Sequence, residues 1–218
     1  MDKKYKIGEL TMKNVDFGKI PTEKEAMVLL EEANKLNPGP WFEHSINVGK
    51  AAKAIAKSCE NLDEEVALVC GLLHDIGRRY GVTSMRHSID GYKFLKEKGY
   101  ELPARICITH SFPYQDMRSV FGEWDCSNEE YEFVKDYVEK QEFHDYDKLI
   151  QFCDALALPD GCCLMEKRLI DVALRHGLND YIIPKWKAIF SIKDHFENLM
   201  GKSVYSVLPG VVENTFKF

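Results

Sequence analysis

The chain has 218 residues, of which 45% are hydrophobic and 29% are charged, and its formal net charge at pH 7 is −6. This length suits one large domain, which we expect over 1–218, and the acidic balance argues against a general nucleic-acid binder. No apolar run approaches the roughly 18–20 residues of a membrane span, and the charged start resembles no secretory signal, so we expect a cytoplasmic protein without a membrane partner.

Helix start and stop signals recur from residue 21 almost to residue 200 and predict an all-α fold, a bundle of about nine helices. Two prolines and a glycine at 37–40 end the first helix. Capping-box spacing marks three helix starts, at Thr22 with Glu25, Asn61 with Glu64, and Ser127 with Glu130. The predicted helices span 23–36, 41–59, 63–77, 85–98, 103–110, 128–141, 146–158, 162–176 and 184–200.

The helix at 63–77 is apolar on nearly every side in its second half, over 66–73. A helix of this kind is surrounded by other elements, so we expect it at the centre of the bundle. Signals for strands are few. Leu10 and Met12 near the start, and 204–208 near the end, are predicted as minor short strands.

Seven cysteines include no C-x-x-C pair, and their odd number prevents complete pairing within the chain. We expect free, buried thiols. A chain of this length buries enough surface to fold without disulfides or structural zinc, so a bound metal would serve chemistry.

The sequence contains two His-Asp doublets. His74-Asp75 ends the apolar run, where burial of a basic and an acidic group is costly unless they are paired or bind a metal. His144-Asp145 lies in a charged junction, 140–148, where both side chains are predicted to be solvated and inert. Context therefore favours the first doublet as the functional one.

Four more residues lean into the predicted core. His44 shares a helix face with apolar residues that follow at spacings of three and four. Asp154 lies in the otherwise apolar segment 152–158, so it needs a cationic partner. His87 shares a face with Gly91, which admits a close neighbour, and His110 follows apolar residues at helical spacing.

Each histidine taken singly is typical of a packed, hydrogen-bonded core residue. Together with the doublet they form a nitrogen and oxygen ligand set suited to divalent transition metals. The ligand set in chain order is His44, His74, Asp75, His87, His110 and Asp154.

The motif Leu72-Leu73-His74-Asp75-Ile76-Gly77, preceded by His44 and followed by Asp154 in Phe152-Cys153-Asp154-Ala155-Leu156-Ala157, resembles the HD-domain metal-dependent phosphohydrolase superfamily. The resemblance covers about 41–158, and 159–200 resemble additional C-terminal helices of small members. It implies a metal site formed by His44, His74, Asp75 and Asp154. In some branches two further histidines hold a second metal, and His87 and His110 match them, with Asp75 bridging.

This resemblance implies a hydrolase that acts on a small phosphate ester or nucleotide through a water activated by a divalent metal, Fe, Mn, Co, Ni or Zn. Asp75 would act in catalysis as the bridge. Arg78 is the predicted phosphate contact, although better-known relatives often have Lys there, and Arg78-Arg79 also suit a solvated helix end. Weaker candidates for the phosphate contact are Arg86, Arg118 and Arg168.

Two alternatives stay open from the sequence. A few HD-fold relatives use the same six ligands for a mixed-valence di-iron oxygenase, and a non-catalytic regulatory helical domain is the third hypothesis. The segment 111–114 either shapes a substrate pocket or is an ordinary aromatic loop.

Overall fold

The computed structural model describes residues 16–216, so the strand predicted at Leu10 and Met12 lies outside the described residues. Within this range the all-α prediction is confirmed. The described part contains ten α-helices: α1 (Glu23–Leu36), α2 (Trp41–Ala56), α3 (Glu64–Leu73), α4 (Arg86–Glu97), α5 (Glu101–Thr109), α6 (Asn128–Lys140), α7 (Asp145–Asp154), α8 (Met165–His176), α9 (Ile182–Met200) and α10 (Val211–Phe216). A short antiparallel pair, β1 (Ala157–Leu158) and β2 (Gly161–Cys162), follows α7.

The helix starts follow their capping signals in two cases out of three. Capping boxes form at the starts of α1 and α6, as predicted. The cap of α3 is Asp63 rather than Asn61, and its carboxylate accepts hydrogen bonds from the backbone N–H groups of Glu65 and Val66. Asn61 instead donates its side-chain amide to Asp145, 2.6 Å away. Asn61 therefore pairs with a distant residue and does not cap α3.

Four predicted helices are at least three residues too long, and the predicted strand at 204–208 is wrong. The helix predicted at 41–59 ends at Ala56, and the one predicted at 162–176 begins at Met165. The helix predicted at 63–77 ends at Leu73, and a 3₁₀ turn, Ile76–Tyr80, follows. The helix predicted at 146–158 ends at Asp154, because the β1–β2 hairpin begins at Ala157. Instead of a strand, Val204–Ser206 form a 3₁₀ turn.

The central position predicted for the apolar helix is confirmed. Seven residues of α3 are buried, from Ala67 to Leu73. A Cβ atom added at Gly71 would lie 2.5 Å from the Cα atom of Gly49, so α2 and α3 pack with their backbones nearly in contact. This close approach sets the distance between His44 on α2 and His74 directly after α3.

All seven cysteines are free thiols, and only Cys126 is less than fully buried. The prediction of free thiols is therefore confirmed. None of the helices between residues 16 and 216 combines the length and hydrophobicity of a membrane-spanning helix.

Candidate metal centre

Six side chains from separate parts of the bundle meet at one place. Two groups have potential ligand atoms within 4.8 Å of one another: His44, His74 and Asp75, and Asp75, His87 and His110. Asp154 joins the first group, since its Oδ1 lies 2.9 Å from Nε2 of His44. The structure thus brings together all six residues that the sequence singled out.

The carboxylate of Asp75 lies between the two groups. Its Oδ2 is 3.8 Å from Nε2 of His74. Its Oδ1 is 3.1 Å from Nε2 of His87 and 3.8 Å from Nε2 of His110. Each oxygen of one carboxylate therefore faces a different set of imidazoles.

Backbone carbonyls orient three of the imidazoles. Nδ1 of His74 lies 2.7 Å from the carbonyl oxygen of Gly71, and Nδ1 of His110 lies 3.1 Å from that of Ile106. Nδ1 of His87 contacts the carbonyl oxygen of Ser84. A carbonyl only accepts hydrogen bonds, so Nδ1 carries the proton in each ring and the lone pair of Nε2 points into the cluster.

Two atoms at the centre of the cluster are buried without a hydrogen-bond partner in the described chain: Nε2 of His74 and Oδ1 of Asp75. Leaving a buried polar atom unpaired costs about 1–3 kcal/mol. A divalent cation would satisfy both atoms, and neutral imidazoles with carboxylates are ligands that Mn, Fe, Co, Ni and Zn accept. The donor set therefore fits a transition metal.

The electrostatics favour the protonation states that metal binding requires. Burial lowers the pKa of His74, and burial together with neighbouring His74 lowers that of His110 to about 3. Burial alone would raise the pKa of Asp75, but Arg78 and the histidines hold it well below its usual range. Likewise, the hydrogen bond from His44 outweighs burial and lowers the pKa of Asp154. These shifts favour neutral imidazoles at His74 and His110 and ionised carboxylates at Asp75 and Asp154, as metal ligands must be.

A glycine after the doublet allows α4 to reach the cluster. A Cβ atom at Gly77 would lie 1.9 Å from the carbonyl oxygen of His87 and 2.5 Å from the backbone nitrogen of Gly91. A Cβ atom at Gly91 would in turn meet Sγ of Cys107 at 2.9 Å. The expectation that Gly91 admits a close neighbour is confirmed, and the lack of a side chain at Gly77 allows this contact.

A cavity of about 700 Å³ opens beside the cluster. This volume is typical of small-molecule sites, which span about 300–1,000 Å³. Part of the wall comes from the start of α2 and from the segment 111–122, and part from α8 and α9. Five of the six predicted ligands line it: His44, Asp75, His87, His110 and Asp154.

Comparison with protein-family models matches the HD domain over residues 41–158, more than half of the chain. The chain belongs to the HD-domain family. The matched range equals that of the resemblance seen in the sequence and contains all six cluster residues, whereas α8 and α9 lie outside it. No curated protein and no solved structure matches the chain.

The two adjacent arginines of the HD domain point to different places. Nε of Arg78 donates a hydrogen bond of 2.7 Å to Oδ2 of Asp75, and Arg78 lines the cavity. The guanidinium of Arg79 instead lies 4.0 Å from the ring centroid of Phe94. Arg78 is therefore the member of the pair that faces the cavity.

The other three predicted phosphate contacts also differ in whether they line the cavity. Arg168 lines the cavity. Arg86 pairs with Glu130, and Arg118 pairs with Asp116; neither arginine lines the cavity. In the segment 111–114, Ser111 and Pro113 line it as well, so the loop contributes to the pocket wall.

The prediction that His144-Asp145 is solvated is wrong. Only 15% of the side chain of Asp145 is exposed, and it accepts from Asn61 while Nε2 of His195 lies 2.9 Å away. The backbone N–H of His144 donates to Asp147. In the described residues this doublet belongs to no group of potential metal ligands. It is a structural junction rather than a solvated loop.

Two cavity residues escaped sequence reasoning. Lys185 on α9 donates a hydrogen bond of 3.2 Å from Nζ to the carbonyl oxygen of Ser111, and no motif surrounds it. Trp41 donates from Nε1 to the carbonyl oxygen of Asn37, whose side chain donates to that of Arg78. The Pro-Gly-Pro segment before Trp41 indicated a loop at this position, whereas nothing in the sequence near Lys185 indicated that it lines the cavity.

Proposed function

We propose that this HD-domain protein is a metal-dependent phosphohydrolase that cleaves a phosphate ester or nucleotide at a two-metal centre. One observation carries the proposal: the two oxygens of Asp75 face separate sets of imidazoles. A carboxylate with this arrangement is suited to bridging two ions. Each ion then receives its own histidines and shares the same aspartate.

The residues divide between the two ions according to their contacts. His44, His74 and Asp154 would hold one ion with Asp75, and His87 and His110 would hold the second. Two divalent ions of the Mn, Fe, Co, Ni or Zn type would supply a water nucleophile at neutral pH and neutralise charge on a phosphoryl group.

Arg78 would bind the phosphoryl group from the cavity wall. Its Nε is engaged by Asp75, and no other hydrogen bond from its guanidinium to the described residues competes with a ligand. Arginine donates two parallel hydrogen bonds to phosphate. The bond from the Asn37 side chain to the carbonyl oxygen of Arg78, 2.7 Å long, fixes the backbone beneath it.

The cavity supports a small organic phosphate as substrate. Its apolar wall residues include Trp41, Pro113 and Phe121, which would contact the organic part while the cluster binds the phosphate.

Free thiols throughout the chain support a location in the reducing cytoplasm. One hydrophobic cluster joins α2, α7 and α9, which supports a single domain.

The experiment is phosphate release by protein stripped with a chelator and reloaded separately with each of the five metals. The substrates are p-nitrophenyl phosphate, bis(p-nitrophenyl) phosphate and a panel of nucleotides. We expect turnover with at least one metal and none in the stripped protein. Bound metal without phosphate release from any substrate would contradict the proposal, and oxygen uptake by the iron-loaded protein in the presence of a substrate would replace it with the oxygenase.

A further inference from the structure

The wall of the cavity that lies outside the HD segment is cationic. Helix α8 contributes Arg168 and Arg175 to this wall, and α9 contributes Lys185. The carboxylate that α8 and α9 place on the same wall is Asp171. These helices thus place three cations and one carboxylate on the wall, and the metal cluster uses neither helix.

Lys185 has an incomplete set of partners. Its ammonium donates to the carbonyl oxygen of Ser111 and lies 5.1 Å from the ring centroid of Phe121. It forms no ion pair with a carboxylate among residues 16–216. Burial lowers the pKa of Lys185 to about 8, against the opposing effect of Asp154. A partly buried ammonium in this state gains from an anion placed beside it.

Arg168 is also incompletely satisfied. Its Nη1 donates to Asp171 at 3.1 Å, but its Nε is buried without a hydrogen-bond partner in the described chain. Asp171 is shared, because Arg175 also donates to it, at 3.0 Å. The side chain of Arg168 is 17% exposed, so its unpaired nitrogen lies inside the wall rather than in bulk water.

We propose that Lys185 and Arg168 form a phosphate subsite for a second phosphate group of the substrate. This inference rests on the proposed function and specifies its substrate class: a small molecule with two phosphates, one held at the metal centre and the other at α8 and α9. Lysine as a point charge and arginine as a fork are the side chains that bind phosphate in proteins.

The geometry favours a second phosphate over a second contact to the first. Arg78 already places a guanidinium on Asp75 at the metal centre. In the described part of the chain, the hydrogen bonds and ion pairs of Arg168 involve Asp171 and none of the six cluster residues. The contacts of Arg168 therefore leave it available to a group other than the phosphate at the metal centre.

The test is calorimetric binding of phosphonates, which are not hydrolysed, to the metal-loaded protein. Propylphosphonate is compared with α,ω-alkane bisphosphonates of one, three and six carbons, because the series varies the span between the two charges. We expect at least one bisphosphonate to bind at least tenfold more tightly than propylphosphonate. A tenfold difference in affinity corresponds to about 1.4 kcal/mol, which is close to the contribution of one charge-assisted hydrogen bond.

Lys185→Met and Arg168→Met should each remove most of this preference and leave propylphosphonate binding unchanged. Lys187→Met is the matched control, since Lys187 is exposed on the same helix, and it should bind like wild type. Circular dichroism checks that each variant is folded.

Three results would overturn the subsite: no bisphosphonate preferred by the wild type, a preference kept by both cavity variants, or an equal loss for both kinds of ligand. The last result would place Lys185 beside the first phosphate. A retained preference in a protein that releases no phosphate from any ester would defeat the hydrolase and leave the subsite standing.

Discussion

The two His-Asp doublets of this chain lie at opposite ends of helices. His74-Asp75 directly follows the last residue of α3, and its imidazole Nε2 and carboxylate Oδ1 are buried without hydrogen-bond partners in the described chain. His144-Asp145 begins α7, where Asp145 accepts from Asn61 and the His144 backbone donates to a neighbouring carboxylate. The first doublet leaves both an imidazole nitrogen and a carboxylate oxygen unpaired, whereas in the second only Nδ1 of His144 lacks a hydrogen bond, and it lies 3.2 Å from Oδ2 of Asp147.

Helix polarity explains part of this difference. Acidic side chains at a helix start are stabilised by the free N–H groups and the helix dipole, so Asp145 and Asp147 have a structural role at the start of α7. Asp75 follows a helix end, where that stabilisation is absent. Its charge is stabilised chiefly by Arg78, together with His74 and His87. The first doublet therefore lies in the cluster of potential metal ligands, and the second has a structural role at a helix start.

Exchanging each aspartate for asparagine gives the largest contrast. Asp75→Asn removes a ligand from both proposed ions and should lower bound metal by at least one ion per chain. Turnover should fall about 10³-fold or more, because a metal supplies several kcal/mol to the transition state. Elemental analysis and phosphate release measure the two effects.

Asp145→Asn is the matched control. It should leave metal content and turnover within about twofold of wild type, while the weakened contacts to Asn61 and His195 lower the free energy of unfolding by about 1–3 kcal/mol. Urea unfolding measures this loss. Metal lost from Asp145→Asn with an intact circular dichroism spectrum would show that the wrong doublet was chosen.

Histidine substitutions should separate the two doublets by the number of metal ions bound per chain. His87→Ala and His110→Ala should each lower bound metal from about two ions toward one per chain, because the ligands of the other ion survive. His144→Ala should keep the wild-type value. A wild-type content near one ion, with ample metal supplied, would defeat the two-metal mechanism.

Each doublet has an Arg-Asp ion pair beside it, and substitutions of the two arginines should differ in their effect on kcat/KM, by less than the substitutions of the metal ligands. Arg78→Ala should lower kcat/KM by one to two orders of magnitude without changing metal content, corresponding to the ~1.5–3 kcal/mol of a charge-assisted hydrogen bond. Unchanged kinetics on the substrate would return Arg78 to the solvated-helix-end interpretation.

Arg105 is the matched control for Arg78, because it donates to both oxygens of buried Asp147 beside the second doublet. Arg105→Lys loses the paired hydrogen bonds and should lower the melting temperature. Its kcat/KM should stay at the wild-type value. A kinetic defect equal to that of Arg78→Ala would show that neither arginine acts on substrate directly.

The smallest expected effect is on the pH dependence of stability in metal-free protein. The pKa of His110 is about 3 in the folded state and about 6.5 when unfolded. Between these two pH values the unfolded state binds a proton at this residue and the folded state does not. The stability that His110 contributes is therefore complete above about pH 6.5 and declines as the pH falls toward 3, by at most about 1.4 kcal/mol per unit.

Urea unfolding of chelator-treated protein at pH 7 and pH 5 measures this dependence. Wild type should lose about 2 kcal/mol more than His110→Gln across this interval, which is the linkage expected for one histidine. Equal losses would mean that His110 is protonated in the folded, metal-free protein.

Local signals in the sequence were enough for much of the fold. Apolar periodicity identified α3 as the central helix, and capping boxes located the starts of α1 and α6. These features depend on residues within one or two turns of each other. The ligand set was also accessible, because a histidine or aspartate in an apolar run is costly without a partner, and the motif around His74-Asp75 is specific.

Contacts between distant segments decided the rest. Asn61 pairs with the distant Asp145 while Asp63 caps α3, and beyond the end of α3 Gly77 packs against the carbonyl of His87. The sequence by itself determined an all-α HD domain and the six candidate ligands. Only the tertiary structure decided which doublet joins the ligand cluster, which arginine faces the cavity, and that a lysine of α9 lines it, because hydrogen-bond partners and burial arise only when the helices pack together.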